Sequence, residues 1–382
     1  MNKIIYTLGF ILIFTLFNNE VKAQTADVAA CTKNASGAIV ITAQISSTTD
    51  QTCDGEGTTN LSLNIYSLGF CTSAPTINFV TNGKATDQRD LANGSYSNGA
   101  SDFSSCTWTI KQSSATIEPL TSAKPIEPLP NDEIPPKGTY THAVLVISNE
   151  MTITGTATFS QTISGSTSGV DTPATGTKCW TNGSFIVDTG KEGLLIGSSV
   201  ANASTNKTAN VFGGGATCGS TPSPTANTIV SLYSNFEPSS GACSTGGGCN
   251  TTRSEENTAF GTLTVFYTTA NISSLATDSP TIQRSAIDAT SNGTATGTNT
   301  LTGVFAYNTP MVVTEKTTGM EIFVNFNNAL AVDFEPSRRK NAAGTLQSLH
   351  TNTSSTATPV IRTLQSGPFG IQFRAVEGGG IN

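Results

Sequence analysis

The sequence predicts an all-β protein: an antiparallel β-sandwich or jelly-roll-like fold, divided into two β-domains by a proline-rich linker. Three observations carry this reading. Apolar and hydroxylic residues alternate with a period of two along much of the chain, while helical periodicity is scarce. Asn-Gly pairs, whose residues both tolerate positive φ, punctuate the alternating stretches and favour tight hairpin turns. Prolines crowd one short segment, where they break any sheet ladder.

From the N-terminus, Lys3 precedes an apolar run from Ile4 to Phe17, and a polar stretch then ends in the small-residue pattern Val21-Lys22-Ala23. The run is shorter than the roughly 20 apolar residues a membrane helix needs. Residues 1–23 are therefore read as a secretory signal peptide, cut before Gln24. Two other leaders fit less well. A type IV prepilin would be cut after Gly9 and would want Glu where Phe14 stands. A lipobox at Val28-Ala29-Ala30-Cys31 stands away from the apolar run, and lipidating Cys31 would strand an odd number of cysteines. With no second run of that length, no membrane span is expected.

Candidate strands follow in order: Ile39–Ile45, Leu61–Tyr66, Ala143–Ile147, Met151–Phe159, Ser184–Val187, Phe260–Tyr267, Leu301–Ala306, Glu321–Phe326, Leu330–Phe334 and Phe369–Val376. Asn82-Gly83, Asn93-Gly94, Asn182-Gly183 and Asn292-Gly293 supply turns between or beside them. One short helix is expected from Thr281 to Ile287, capped by Ser279 with Pro280 in its first turn. Between Glu118 and Gly138 stand Pro119, Pro125, Pro128, Pro130, Pro135 and Pro136. This density sets the expected division: a small β-domain over 24–116, a linker over 117–138 and a larger β-sandwich over 139–382, against the alternative of one long loop within a single domain.

The 8 cysteines, Cys31, Cys53, Cys71, Cys106, Cys179, Cys218, Cys243 and Cys249, all lie beyond the leader. An even number in an exported chain reads as disulfides. Structural zinc is disfavoured, because the chain has no C-x-x-C and only 2 histidines, His142 and His350. Spacing leaves the connectivity open; pairing each cysteine with its neighbour gives Cys31–Cys53, Cys71–Cys106, Cys179–Cys218 and Cys243–Cys249.

Charge is sparse, at 12% of residues with a formal net of −7, so phosphate backbones would repel the chain and no nucleic-acid partner is expected. The basic cluster Arg338-Arg339-Lys340 reads as a solvated loop. Abundant Ser and Thr would suit a disordered stalk, yet 18 Phe and β-branched alternation point to a packed fold.

Motifs with chemical content are few. Phe185-Ile186-Val187-Asp188-Thr189-Gly190, followed by Leu194-Leu195-Ile196-Gly197, resembles the catalytic loop of aspartic proteases, in which two aspartates share a proton. Lys191 departs from that pattern and no second Asp-Thr/Ser-Gly occurs, so a turn at the end of a strand is the preferred reading. Gly165-Ser166-Thr167-Ser168-Gly169 has Thr at the centre of a serine-hydrolase-like elbow, with only His142 or His350 to act as base. Gly213-Gly214-Gly215 and Gly246-Gly247-Gly248 lack the Lys-Ser/Thr ending of a phosphate loop. Asp54-Gly55-Glu56-Gly57 is an acidic turn short of a calcium-loop pattern. Asn-X-Ser/Thr triplets begin at Asn34, Asn60, Asn93, Asn182, Asn202, Asn206, Asn250, Asn271, Asn292 and Asn352, close to what chance gives in so hydroxylic a chain. Trp108 and Trp180 stand beside Cys106 and Cys179, which favours packing on a disulfide over a sugar platform.

No catalytic, cofactor-binding or metal-binding residue is assigned on this reading, and no cofactor is expected. The expected function is a secreted or cell-surface structural or adhesive protein, a subunit of an extracellular assembly such as a surface layer, filament or tubule, with the periplasm as another location. Self-association or surface partners are expected. A secreted carbohydrate-binding module is the alternative, and a secreted hydrolase the further one.

Overall fold

A computed structural model of the chain describes residues 24–25, 31–40, 51–56, 58–78, 100–120, 133–165, 175–188, 194–196, 215–231, 252–257, 261–288, 294–325, 330–334, 339–340, 346–347, 361–366 and 370–378. The strands run β1 Gln24–Thr25, β2 Gln51–Glu56, β3 Thr58–Cys71, β4 Cys106–Leu120 and β5 Gly138–Ser164. Next come β6 Thr175–Trp180, β7 Phe185–Asp188, β8 Leu194–Ile196, β9 Thr217–Gly219, β10 Asn227–Ser231, β11 Thr252–Asn257 and β12 Gly261–Ala270. Past a 3-10 turn at Ile272–Ala276 lie β13 Ile282–Arg284, β14 Ala286–Asp288, β15 Thr294–Thr296, β16 Thr300–Val313 and β17 Thr317–Asn325. The last are β18 Leu330–Phe334, β19 Arg339–Lys340, β20 Leu346–Gln347, β21 Ile361–Ser366 and β22 Gly370–Glu377.

β5 is the spine. One edge of it pairs with β16 and then β10; the other pairs with β3 and then β6, all antiparallel. The resulting 13-stranded sheet curls into a half-barrel. Its main path runs β1-β11-β12-β16-β5-β10-β7-β8, with β3, β4, β6, β9 and β13 attached at its sides. The order β2-β18-β21 and the pair β17-β22 form a second layer.

Period-two alternation explains why the large sheet is covered on both faces. Ala143, Leu145 and Ile147 of β5 join a core with Leu61, Leu63, Ile65, Leu68 and Phe70 of β3 and with Leu330, Val332, Ile361, Leu364 and Phe373 of the second layer. The intervening Val144 and Val146 face the other way, into a cluster with Trp108, Phe103, Ile77, Leu275 and Ile282. Successive side chains of a strand point to opposite faces, so one strand feeds both cores. Each fully buried Leu, Ile or Phe contributes about 1.5–3 kcal/mol. Phe70, Phe305 and Phe373 meet edge to face at the centre, with ring centroids 5.9 and 6.3 Å apart for the two contacts of Phe373.

The all-β, sandwich-like class with antiparallel sheets is what the structure shows, and three details add to the sequence reading, the second of them as a correction. First, β3 and β4 precede the proline-rich segment and β5 follows it, yet β3 pairs with β5 from Thr58↔Gly155 to Cys71↔His142. Strands on both sides of that segment also share one core. β4 keeps its ladder through Ser62↔Pro119 to Leu61↔Leu120, and it pairs on one side only among the described residues, where a proline is tolerated. Second, no helix forms over 281–287. Ile282–Arg284 pairs with Thr268–Ala270 as β13, and Ala286–Asp288 pairs with Thr294–Thr296 as β14 and β15. The helical turn falls earlier, at Ile272–Ala276, where Leu275 is fully buried. Tertiary pairing outweighs the capping signal of Ser279 and Pro280. Third, not every pair is antiparallel: β7 lies parallel to β10, from Thr228↔Phe185 to Ser231↔Asp188.

Gly261 opens β12 where no side chain fits. A Cβ there would lie 2.2 Å from the Ala306 carbonyl oxygen and 2.6 Å from the Phe305 ring. Gly261→Ala is expected to destabilise the fold by about 2–3 kcal/mol through overpacking, read as a lower urea midpoint with an unchanged m-value.

Candidate functional site

The chemistry-bearing groups of the described chain gather at two cross-strand disulfides and at a buried amide beside one of them. Cys71 ends β3 and Cys106 begins β4, directly opposite each other, and they are bonded. Cys179 of β6 is likewise opposite and bonded to Cys218 of β9. Cys31 is also disulfide-bonded. The side chains of Cys53, Cys243 and Cys249 lie outside the described residues.

Each of the two disulfides carries a tryptophan. Trp108, 2% exposed, lies across Gly69, where a Cβ would come within 2.9 Å of the indole Cε3. Phe103 meets it edge on at 5.5 Å between centroids. The Trp108 indole N–H is buried and has no hydrogen-bond partner among the described residues. Trp180, 8% exposed, stands next to Cys179 and over Gly219, where a Cβ would lie 3.0 Å from its ring. Both rings are packing elements, so neither offers a face for a sugar to stack on.

Asn227 is the polar hub near Cys179–Cys218. Fully buried at the start of β10, its Oδ1 accepts from the backbone N–H groups of Asn182, Gly183 and Ser184 at 3.1, 3.1 and 3.0 Å. Its Nδ2 donates to the carbonyls of Gly215 at 2.8 Å and Leu364 at 3.1 Å. One amide thus joins the turn between β6 and β7 to the approach to β9 and to the second layer. Gly183, at φ 84°, lets the turn aim three N–H groups at one oxygen. The Asn182-Gly183 pair therefore serves as a clamp between strands and not as a two-residue hairpin.

Other buried polar groups are also satisfied locally. Thr268 Oγ1 lies 2.8 Å from Thr300 Oγ1 and 2.9 Å from Thr302 Oγ1, and Thr298 Oγ1 donates to Ser285 Oγ at 2.8 Å. Ser67 Oγ donates to the Leu275 carbonyl at 3.0 Å, tying the 3-10 turn to the sheet. The described ion pairs lie at the surface: Lys111 with Asp278, Lys137 with Glu315 and Arg374 with Glu321.

The motifs singled out in the sequence do not converge. Asp188 ends β7 in parallel register with Ser231, and Thr189 and Gly190 lie outside the described residues, as do His350 and the Gly246–Gly248 run. Asp54, Gly55 and Glu56 belong to β2, which pairs with β18. His142 sits within β5 between Cys71 and Ala306, with Nδ1 2.9 Å from Thr141 Oγ1. Among the described residues, no group of His, Cys, Asp and Glu is arranged to hold a metal ion, and no helix is long and apolar enough to cross a membrane.

Burial of His142 disfavours its charged form and holds its pKa below the ordinary 6.5. The unfolded chain then takes up a proton first, so this residue's contribution is complete above about pH 6.5. It is lost as pH falls below that value and levels off once the folded imidazole titrates too. The stability difference between pH 8 and pH 5 is expected to shrink in His142→Gln relative to the parent, measured by urea unfolding at both pH values.

Three of the described edge strands are blunted. Between Ile65↔Thr116 and Ser67↔Lys111 the outer strand β4 bulges opposite Tyr66, and Gln112 Nε2 donates to the Ile65 carbonyl at 2.8 Å. β17 shifts register between Thr317 and Gly319 and bears the Glu321–Arg374 pair. β8 runs only from Leu194 to Ile196. Bulges, charges and shortness all discourage uncontrolled strand addition.

No protein-family model matches the chain, and searches of curated proteins and of solved structures give no match.

Proposed function

We propose that the chain is an exported structural or adhesive protein of the cell surface or extracellular space, without enzymatic activity, serving as a subunit of an extracellular assembly. The observation that carries this reading is a curled sheet covered on both faces and tied by two cross-strand disulfides. Such bonds persist in oxidising compartments and restrict the unfolded chain. The leader-like segment before Gln24 and the sparse charge point the same way. Blunted edges direct contacts between copies toward faces and termini and away from open-ended strand stacking.

The test is to express the full chain with its leader, fractionate the cells, and follow the recovered product by sedimentation across a concentration series and by negative-stain electron microscopy. An ordered polymer, or retention on the cell surface, supports the proposal. A freely released monomer that binds a glycan array or turns over a substrate contradicts it.

A further inference from the structure

We propose that Cys71–Cys106 is a thiol-responsive restraint, opened by a small thiol or a thiol–disulfide oxidoreductase while Cys179–Cys218 stays closed. The two bonds share a cross-strand setting but differ in access. Cys179 is 0% exposed and Cys218 2%, so neither sulfur is open to attack. Cys71 is also 0% exposed, but its partner Cys106 is only partly buried at the rim of the second apolar cluster. Ser105 Oγ lies 4.0 Å from Cys106 Sγ, which places a polar group beside that sulfur.

Exchange proceeds by attack of a thiolate on one sulfur, and access decides which bond reacts. The incoming thiolate bonds to Cys106 Sγ, the Cys71–Cys106 bond breaks, and Cys71 leaves as a thiolate that takes a proton from water. A second thiolate attacks the mixed disulfide at the sulfur of the first and releases Cys106, which is protonated in turn. Two small thiols are oxidised to their disulfide, and one protein disulfide is reduced to two thiols.

The consequence is local. Backbone bonds from Thr72 N–H to the Ser105 carbonyl and between Thr76 and Asp102 keep the neighbouring chain paired without the sulfurs. Loosening falls instead on the contact of Phe103 with Trp108. The indole N–H, buried without a partner among the described residues in the closed form, gains access to water in the open one. Hydrating an unpaired buried donor favours opening. The closed bond therefore holds a cover over Trp108 that reduction releases.

The experiment treats the oxidised native protein with graded dithiothreitol at pH 8 without denaturant, alkylates aliquots over time, maps modified cysteines by mass spectrometry and records tryptophan emission. Cys71 and Cys106 are expected to be modified at least tenfold faster than Cys179 and Cys218, with a red shift of emission at the same rate. Cys71→Ala/Cys106→Ala should show no thiol-dependent shift, and Cys179→Ala/Cys218→Ala should retain it. Equal rates for the two bonds, prior reduction of Cys179–Cys218, or unchanged emission once Cys71 and Cys106 are modified would overturn the proposal. Mapping of the parent protein decides the order even where a variant does not fold. The readout is made on single chains, so it is separate from any result on assembly.

Discussion

Replacing Asn227 with Leu is expected to lower stability by about 4 kcal/mol, one of the largest single-residue effects in the molecule. The change strands three backbone N–H donors, of Asn182, Gly183 and Ser184, and two carbonyls, of Gly215 and Leu364. A buried group left without its partner costs about 1–3 kcal/mol. Partial entry of water and relaxation of the 182–184 turn keep the total below the simple sum. Leu preserves the bulk, so the loss reports hydrogen bonding and not a cavity. Measured by urea unfolding, a loss under about 1 kcal/mol would mean that the clamp is dispensable. Amide exchange gives a finer test: protection at Gly183 and Ser184 should fall by more than protection on β5.

The second large effect is expected from Cys179→Ala/Cys218→Ala. The bond joins residues separated by 39 positions. Closing a loop of that length in the unfolded chain is worth about 3–4 kcal/mol on the chain-entropy account. Both sulfurs are buried, so the variant also loses packing against the core that includes Ala157, Ile163 and Ala216. Removing Cys71–Cys106 instead should cost a similar amount, since its separation is 35. The two losses should add approximately, because the bonds sit at different strand pairs. Against a typical total of about 5–15 kcal/mol, the fourfold Ala variant stands at the edge of folding at 37 °C. An unchanged urea midpoint in either double variant would show that the disulfides are incidental to stability.

The fold class was legible because burial on one face forces alternation. Met151–Phe159 reads as a strand in sequence, and the structure buries Met151, Ile153, Ala157 and Phe159 while the intervening threonines stay half-exposed. Leu330–Phe334 is β18 with the same bounds, and Phe260–Tyr267 and Leu301–Ala306 fall within or beside β12 and β16. Lengths were less legible. Ala143–Ile147 and Met151–Phe159 are one strand, β5, because Ser148, Asn149 and Glu150 continue the extended chain without an apolar residue to mark it. β4 was missed because Gln112 to Ala115 form the bulge and interrupt alternation, and β6 because Thr-Gly-Thr-Lys is polar throughout.

The site divides similarly. Pairing neighbouring cysteines anticipates Cys71–Cys106 and Cys179–Cys218, since each pair flanks strands that meet in the sheet. Packing of Trp108 and Trp180 beside these bonds was also readable from their spacing. Asn227 was not, because its five partners come from three separate stretches of chain and no local pattern distinguishes it from other asparagines. Gly69 was equally silent: the reason for glycine is an indole 39 residues away in sequence, at Trp108. The aspartic-protease resemblance at Asp188 concerns a segment that pairs with β10 and β8 as ordinary strand, at least as far as Asp188.

The proposed function requires that the chain leave the cytoplasm and be cross-linked as it folds. The most direct measurement is intact-mass analysis with a non-reducing peptide map of protein recovered outside cells that express the full chain. Export with removal of the leader predicts an N-terminus at Gln24 and linked peptides joining Cys71 to Cys106 and Cys179 to Cys218. Protein found only inside cells, with residues 1–23 retained and those four cysteines as free thiols, would contradict it.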